Sequence, residues 1–190
     1  SLYELYGSDN YGIGGNTNLN PEKSATNELY GEYNFSETIK FTSTAYKAKV
    51  FDRIESNAAY SMHENELIDI NQEGLESELL FSGNNQNIGL YTNFSKSRKV
   101  NGQAQARRPD LSYGVDYFKK FNLPEYGPFN LNLSHRYIGD HIDWTGSKNS
   151  FVKSVDLVEM SIGKDWYGNM LSLNFTNLLN ERYEKPGTYS

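Results

Sequence analysis

Apolar and polar side chains alternate along most of the chain after residue 24. In residues 87–99, for example, Ile88, Leu90 and Phe94 are separated from one another by small or polar side chains. A period of two is the pattern of a β-strand that has two different faces, and helical periodicity is missing. The pattern predicts about eight strands, at residues 25–35, 39–51, 66–81, 87–99, 110–121, 128–140, 152–164 and 171–176.

The connections between these strands alternate in length. Short turns are predicted near residues 36–38, 83–86, 122–127 and 165–169, and longer polar connections near 52–65, 100–109, 141–151 and 180–190. Outer-membrane barrels have short turns at one rim and long loops at the other. Soluble β-sandwiches do not usually separate their loops in this way. The loop lengths therefore favour a membrane barrel.

Strand length and charge placement favour the same class over a soluble antiparallel sheet with one wet face. The predicted strands are long, whereas a typical strand has about five or six residues. The polar face carries Glu76, Glu78 and Arg136, where a closed soluble barrel would need a packed core. Aromatic residues gather at the strand ends, as in the girdles of membrane barrels: Phe35, Phe81, Phe121, Tyr126, Trp166 and Tyr167 near the short turns, and Tyr137 and Trp144 near the long loops.

Composition narrows the functional classes. The chain has 190 residues, a mean hydropathy of -0.71 and 14% aromatic residues, a combination that suits strands with apolar side chains only at alternate positions. The net charge of -6 argues against a nucleic-acid partner. Cysteine is absent, which excludes a disulfide scaffold. No apolar stretch approaches the roughly 20 residues of a membrane helix.

Three segments resemble motifs of one protein family. Residues 15–24, GNTNLNPEKS, resemble the G-N-P-x-L-K-P-E segment of TonB-dependent receptors, with Thr17 and Asn20 in place of the usual Pro and Lys. Residues 177–184, NLLNERYE, resemble the N-L-[FL]-[DN]-x-x-Y element before the last strand, and residues 73–76 resemble a G-[VLI]-E strand centre. Taken in order, these segments are similar to the C-terminal part of the family's β-barrel, with the loop lengths most similar to those of vitamin B12 (cobalamin) receptors.

The resemblance implies a fold and an organisation. The expected fold is all-β, an antiparallel transmembrane β-barrel, with about eight meandering strands of a larger barrel of about 22 strands that is incomplete at both ends. The chain is then one partial domain, in which residues 1–24 are an extracellular loop, 25–179 strands and turns, and 180–190 the start of the last extracellular loop. The family's plug domain is expected outside this chain.

The resemblance also implies a function. The expected protein lies in a bacterial outer membrane and imports a scarce nutrient such as cobalamin or a ferric siderophore, energised through TonB. Its expected partners are outer-membrane lipid, its own plug domain, TonB and a small-molecule nutrient, and no cofactor or nucleic acid is expected. The alternatives are a small structural or adhesive outer-membrane barrel and a soluble carbohydrate-binding β-sandwich.

Catalysis has little support in the sequence. The chain has three His and lacks an H-E-x-x-H motif, a phosphate loop and a G-x-S-x-G motif. We therefore expect no enzyme and no catalytic residue. The segment Asp140-His141-Ile142-Asp143 carries oxygen and imidazole ligands, but one short cluster supplies too few oxygens for calcium, and we expect a solvated loop there.

Two groups of residues are candidates for binding. Exposed aromatic and arginine side chains give large contact areas and specific hydrogen bonds, although girdle or loop packing is the favoured explanation for any single one. The ligand-binding candidates in the outer loops are Tyr3, Tyr6, Tyr11, Tyr60, Arg107, Arg108 and Trp144. Charges that point into a barrel either contact a plug or are solvated, and the plug-facing candidates are Glu76, Glu78, Arg136 and Glu159.

Overall fold

The computed structural model describes residues 1–8, 12–57, 59, 61–145 and 148–183, without the side chains of residues 144, 145, 148 and 149. It contains one short helix, α1 (Leu2–Tyr6), in these residues. The strands are β1 (Lys23–Asn34), β2 (Ile39–Phe51), β3 (Ile54–Ser56), β4 (His63–Asn65), β5 (Ile70–Ser82), β6 (Gln86–Lys99), β7 (Leu111–Leu123), β8 (Gly127–Ile138), β9 (His141–Thr145), β10 (Lys148–Val152), β11 (Val155–Trp166) and β12 (Asn169–Phe175).

Eight of these strands form one sheet in the order β1-β2-β5-β6-β7-β8-β11-β12. The pairs whose register is defined, β6 with β7, β7 with β8, β8 with β11 and β11 with β12, are all antiparallel. Each strand of the sheet pairs with its neighbour in the chain apart from two inserted hairpins, β3–β4 and β9–β10. The predicted all-β fold class and its meander of about eight strands are confirmed.

The two hairpins and α1 were not predicted from the sequence. Their segments have three to five residues each, which is too short for a period of two or 3.6 to be recognised. Strand β1 begins at Lys23, inside the segment predicted as a loop, and β5 begins at Ile70 rather than at residue 66. The predicted bounds of β2, residues 39–51, match the structure.

The short turns follow from local sequence. Tyr167 and Gly168 connect β11 to β12, and both have positive φ, 51° and 77°. Positive φ at both central residues defines the type I′ turn, whose twist matches that of antiparallel strands. In the turn between β1 and β2, the Ser36 hydroxyl accepts hydrogen bonds from the backbone N–H groups of Thr38 and Ile39 at 3.2 and 3.1 Å.

The register places like side chains on the same face of the sheet. One cross-strand row contains Ile88, Tyr117, Leu133, Met160 and Phe175. The adjacent row, on the opposite face because successive residues point to opposite sides, contains Gly89, Asp116, Ser134 and Glu159. The sheet therefore has one apolar and one polar face, as the alternation predicted.

The apolar face is not the surface of a packed core. Among the described residues only Ala48, Ile70 and Val152 are buried apolar side chains. Leu90 and Phe175, which lie on the apolar face, are 45% and 42% exposed. A soluble sandwich covers such a face with a second sheet, so the burial pattern argues against the carbohydrate-binding sandwich.

The chain divides into two compact units. Unit 1 contains Ser1–Asn27, Tyr46–Glu73 and Ser97–Gln105, with α1 and the β3–β4 hairpin. Unit 2 contains Glu28–Ala45, Gly74–Lys96 and Ala106–Ser190, with the central part of the sheet and the β9–β10 hairpin. No helix in the described part of the chain is long and apolar enough to cross a membrane.

Candidate functional site

In unit 1, helix α1 presents two tyrosines. Ser1 and Glu4 form a capping box at the start of the helix, an arrangement that satisfies the first free N–H groups. Tyr3 and Tyr6 are neighbours on the helix surface because they are three residues apart, and they are 48% and 72% exposed. The ring of Tyr3 lies edge-on to His63, with 6.1 Å between ring centroids.

The segment Gly14-Gly15-Asn16 connects α1 to the β3–β4 hairpin. The backbone N–H of Gly15 donates to Gly7 O at 2.7 Å, and that of Asn16 donates to Glu4 O at 2.9 Å. On the other side, the Asn16 side chain donates to His63 O at 2.9 Å. Gly15 passes so close to the helix that an added Cβ would lie 2.7 Å from the Leu5 backbone, so only glycine fits there.

The following residues of the same motif bind the hairpin through one asparagine. The Asn65 side chain accepts from the Asn20 N–H at 2.8 Å and donates to Asn20 O at 2.9 Å. The Asn65 side-chain amide also donates to Asp52 O, at 2.6 Å. The Glu22 carboxylate accepts from the Ile54 N–H at 2.8 Å. The motif that suggested the family is therefore, in this structure, the segment that fixes α1 and the hairpin to each other.

In unit 2, two connections are joined by an ion pair. The Arg107 Nε donates to Asp143 Oδ1 at 2.5 Å, and the Arg107 backbone N–H donates to Ile142 O at 2.6 Å. The Asp143 side chain is only 8% exposed, whereas that of Arg107 is 43% exposed. Arg107 has a positive φ of 62°, which a non-glycine residue adopts at a cost that these contacts offset. Arg108, the next residue, is exposed.

The polar face of unit 2 carries a cluster around Arg136. Tyr91, Gly114 and Arg136 lie side by side on β6, β7 and β8. The Tyr91 hydroxyl occupies the space where Gly114 lacks a Cβ, and it hydrogen-bonds the Arg136 side chain. Glu159 and Asp116, which lie on the same face two residues farther along their strands, interact electrostatically with the same guanidinium. Gly114 therefore makes this contact possible, because any larger side chain would meet the tyrosine ring.

A second polar cluster lies on β1 and β2. The Lys40 ammonium is 2.9 Å from the Glu32 carboxylate, and the Tyr30 hydroxyl donates to the same carboxylate at 2.7 Å. Glu78 of β5 interacts electrostatically with Lys40. The Glu78 side chain also lines a shallow depression with Tyr91, Asp116 and Ser134. Carboxylates are thus concentrated along one face of the sheet.

The structure places the predicted residues as follows. Tyr3 and Tyr6 lie together on α1, and Glu78, Arg136 and Glu159 lie on the polar face. Glu76 has the same parity on β5 as Glu78 and so shares its face. Arg107 binds Asp143, and Trp144 is described only as backbone in β9. Tyr11 and Tyr60 lie outside the described residues.

Sequence reasoning missed the residues that hold these groups in place, and the expectation of a solvated loop at residues 140–143 was wrong, since β9 begins at His141 and Asp143 is buried. Asn65, Asp143 and Tyr91 each contact a partner far away in the chain, and no local pattern reveals such a pair. Within the described residues, no three His, Asp or Glu side chains are grouped closely enough to hold a metal ion. His141 has a backbone neighbour instead, Gly139 O at 3.2 Å from its Nδ1.

Comparison with known proteins finds curated sequence relatives at low identity. No family model matches the chain. The chain is 24% identical over 197 residues to the vitamin B12 transporter BtuB of Vibrio cholerae, and the match covers 100% of this chain and 30% of the transporter. The chain therefore spans less than a third of the length of the curated relatives it matches.

Solved structures match the fold more strongly. The ferric yersiniabactin uptake receptor FyuA from Yersinia pestis superposes with a TM-score of 0.75 at 18% identity, over 89% of this chain and 27% of the receptor. The ferripyoverdine receptor of the outer membrane of Pseudomonas aeruginosa superposes with a TM-score of 0.67 at 14% identity, over 87% of this chain and 24% of the receptor. The fold is that of a TonB-dependent receptor barrel.

This assignment explains the two faces of the sheet. In a TonB-dependent receptor barrel, which lies in the bacterial outer membrane, the exposed apolar face contacts lipid and the polar face lines the interior. In such barrels the short turns face the periplasm and the long loops face the outside. The expected fold is thus confirmed, and one of the matching solved structures is by name a receptor of the outer membrane. The relatives are transport proteins by name, not enzymes.

Proposed function

We propose that this chain forms part of the wall and outer loops of an active-transport receptor that imports a scarce nutrient, energised through TonB. The observation that carries the proposal is the pairing of an exposed apolar sheet face with a charged interior face, in a fold shared with uptake receptors. Because the chain spans only 30% of its relatives, the plug domain and TonB contact of the proposed mechanism lie elsewhere in the receptor.

The proposed ligand is a large nutrient such as cobalamin or a ferric siderophore. The sequence relative is a vitamin B12 transporter, whereas the structural neighbours take up ferric siderophores. The sequence match over the whole chain, with the loop lengths, is the reason to test cobalamin first. Specificity in such a receptor depends on the loops, because the strands meet lipid and the interior.

The proposed ligand contacts are the exposed residues of the outer loops. In unit 1, Tyr3 and Tyr6 form a small aromatic surface on α1. In unit 2, Arg108 is a separate candidate, because it is exposed and positively charged. A rigid aromatic side chain gives large contact area at low entropic cost. Tyr11, Tyr60 and Trp144 remain candidates on the sequence pattern alone. Arg107 is a weaker candidate, since its guanidinium already binds Asp143.

The proposed plug contacts are the charges of the polar face: Glu76, Glu78, Arg136 and Glu159. Glu159 and Asp116 lie near Arg136, while Glu78 lines a depression on the same face. Carboxylates in a confined interior are stabilised by a cationic partner. Basic side chains of the plug would supply that partner, and the Tyr91–Arg136 contact would hold the surrounding wall rigid.

Uptake in a suitable host tests the function. The full-length receptor is expressed in a Gram-negative strain that lacks its own cobalamin receptor and in one that lacks its siderophore receptors. Cobalamin-dependent growth, or growth under iron limitation, identifies the nutrient. The same cells without functional TonB should lose the uptake. Uptake that persists without TonB, or no uptake of either nutrient by a correctly folded receptor, would contradict the proposal.

Matched variants test the ligand contacts. Tyr6→Ala and Arg108→Ala should each weaken ligand binding by about 1 kcal/mol or more if they contact it. Arg182→Ala removes a similar charge from an exposed residue of the chain's last described segment and serves as a control. Equal binding by all three variants would refute the proposed loop contacts without changing the assignment to transport.

A further inference from the structure

The apolar face of unit 2 carries two lysines near the short turns. In the register, Lys119 of β7 pairs with Leu131, and Lys164 of β11 pairs with Phe129. Paired residues point to the same face of a sheet, so both ammonium groups emerge among side chains that contact lipid. Lys120, the neighbour of Lys119, points to the opposite face.

Neither lysine has a carboxylate partner among the ion pairs of the described residues. Other lysines do, as with Lys40 and Glu32, whose charged atoms are 2.9 Å apart. The Lys164 ammonium instead lies 5.2 Å from the Phe129 ring centroid and 5.9 Å from that of Tyr126. Aromatic faces attract a cation, and they orient the ammonium group without neutralising its charge.

The two lysines lie at one boundary of the apolar band. Along β8, Tyr137 stacks on Tyr113 near the long loops, with ring centroids 4.6 Å apart, and Phe129 stacks on Phe121 near the short turns, 5.7 Å apart. Eight residues of strand separate these rings, about 27 Å along the strand or about 20 Å of height at a tilt of about 40°. Aromatic rings at both ends of such a band mark the two headgroup levels.

Lys119 and Lys164 therefore lie near the headgroups of the leaflet that adjoins the short turns. They are on the strands that flank β8, about 10 Å apart across the sheet. They are also offset by two residues along β8, since they pair with Leu131 and Phe129, so their backbones are about 12 Å apart. Two lysine side chains are long enough to reach one phosphate group across this distance. Glu125 lies in the adjacent turn and is exposed. It makes no ion pair with either lysine among the described residues.

We propose that Lys119 and Lys164, with Phe129 on the strand between them, form a binding site for the headgroup phosphate of an anionic phospholipid such as phosphatidylglycerol. The unpaired cations supply charge complementarity, since basic residues at a membrane surface attract anionic lipids. The apolar residues above them accept the acyl chains. The inference rests on the proposed membrane receptor, but not on which nutrient the receptor imports.

Native mass spectrometry of the full-length receptor tests the site. The receptor is extracted in a mild detergent and equilibrated with equal amounts of phosphatidylglycerol and phosphatidylcholine, and the ratio of the two bound lipids is measured. The double variant K119Q/K164Q is compared with the wild type. K120Q is the matched control, because it removes the same charge one residue away on the opposite face. K119R/K164R keeps both charges.

We expect the bound phosphatidylglycerol-to-phosphatidylcholine ratio to fall about tenfold in K119Q/K164Q and to stay at the wild-type value in K120Q and K119R/K164R. If the double variant does not fold, K164Q alone is compared with K120Q. An unchanged ratio in the glutamine variants, or an equal fall in K120Q, would overturn the site. Nutrient uptake by the same cells separates the two proposals, because uptake without lipid preference refutes only the lipid site.

Discussion

The ion pair between Arg107 and Asp143 should stabilise the β9–β10 hairpin locally. Arg107→Ala removes the guanidinium that lies 2.5 Å from a carboxylate of which only 8% is exposed. Breaking a fully buried pair costs about 3–5 kcal/mol, because a buried charge loses its partner. Arg107 is itself 43% exposed, so water screens part of the interaction and the expected cost is about 2 kcal/mol.

Hydrogen–deuterium exchange can measure this local cost in the full-length receptor. A loss of about 2 kcal/mol increases the open fraction of the hairpin about 30-fold, because each 1.36 kcal/mol is a factor of ten. The backbone amides of His141–Asp143 and Ser150–Val152, which pair with one another in the hairpin, should therefore exchange about 30-fold faster in Arg107→Ala. Amides in the centre of β8 should be unchanged.

Arg108→Ala is the matched control for this experiment. It removes the same side chain and charge from the adjacent position, but Arg108 is exposed. Its effect on the hairpin amides should be within about twofold of the wild type, since exposed charges contribute little to stability. Equal exchange in the Arg107 and Arg108 variants would refute the conclusion that this ion pair fixes the hairpin.

Two glycines give further predictions. Gly114→Leu should displace the Tyr91 side chain, which occupies the space beside the Gly114 Cα, and should cost about 1–3 kcal/mol of stability by overpacking. A lower yield of the heat-modifiable folded form on an SDS gel would reveal this loss. Gly31→Leu is the control and should leave the yield unchanged, because Gly31 faces open space. Gly15→Ala should weaken the contact of its segment with α1 and increase proteolysis of the outer loops. Gly14→Ala should not, because its Cβ would lie 3.6 Å from the nearest atom. Equal results for the two variants of either pair, Gly114 with Gly31 or Gly15 with Gly14, would contradict the packing argument.

The alternation of side chains was sufficient to predict the sheet. A strand such as β7 places Val115 and Tyr117 on one face and Asp116 and Phe118 on the other, and this pattern depends only on the period of two. Strand order also followed, because consecutive antiparallel strands joined by short turns pair with each other. The eight long strands therefore needed no information from outside the sequence.

The contacts between loops could not be predicted in this way. Asn16 and His63, joined by a hydrogen bond of 2.9 Å, are 47 residues apart in the chain, and Arg107 and Asp143 are 36 residues apart. Nothing in the periodicity of either partner indicates the other. The exposed aromatic residues were found as candidates by type alone, so their roles in binding stay predictions until ligand binding is measured.

The different surroundings of Arg107 and Lys164 show why the position of a charged side chain must be known before its role can be inferred. Both are basic residues near the end of a strand or in a loop, and the sequence alone made Arg107 a ligand-binding candidate and gave Lys164 no role. Arg107 lies opposite a buried carboxylate, so its charge is used inside the protein. Lys164 lies against aromatic rings on the apolar face, so its charge is available to a partner in the membrane. The register, which fixes the face, thus separates a stabilising residue from a binding residue.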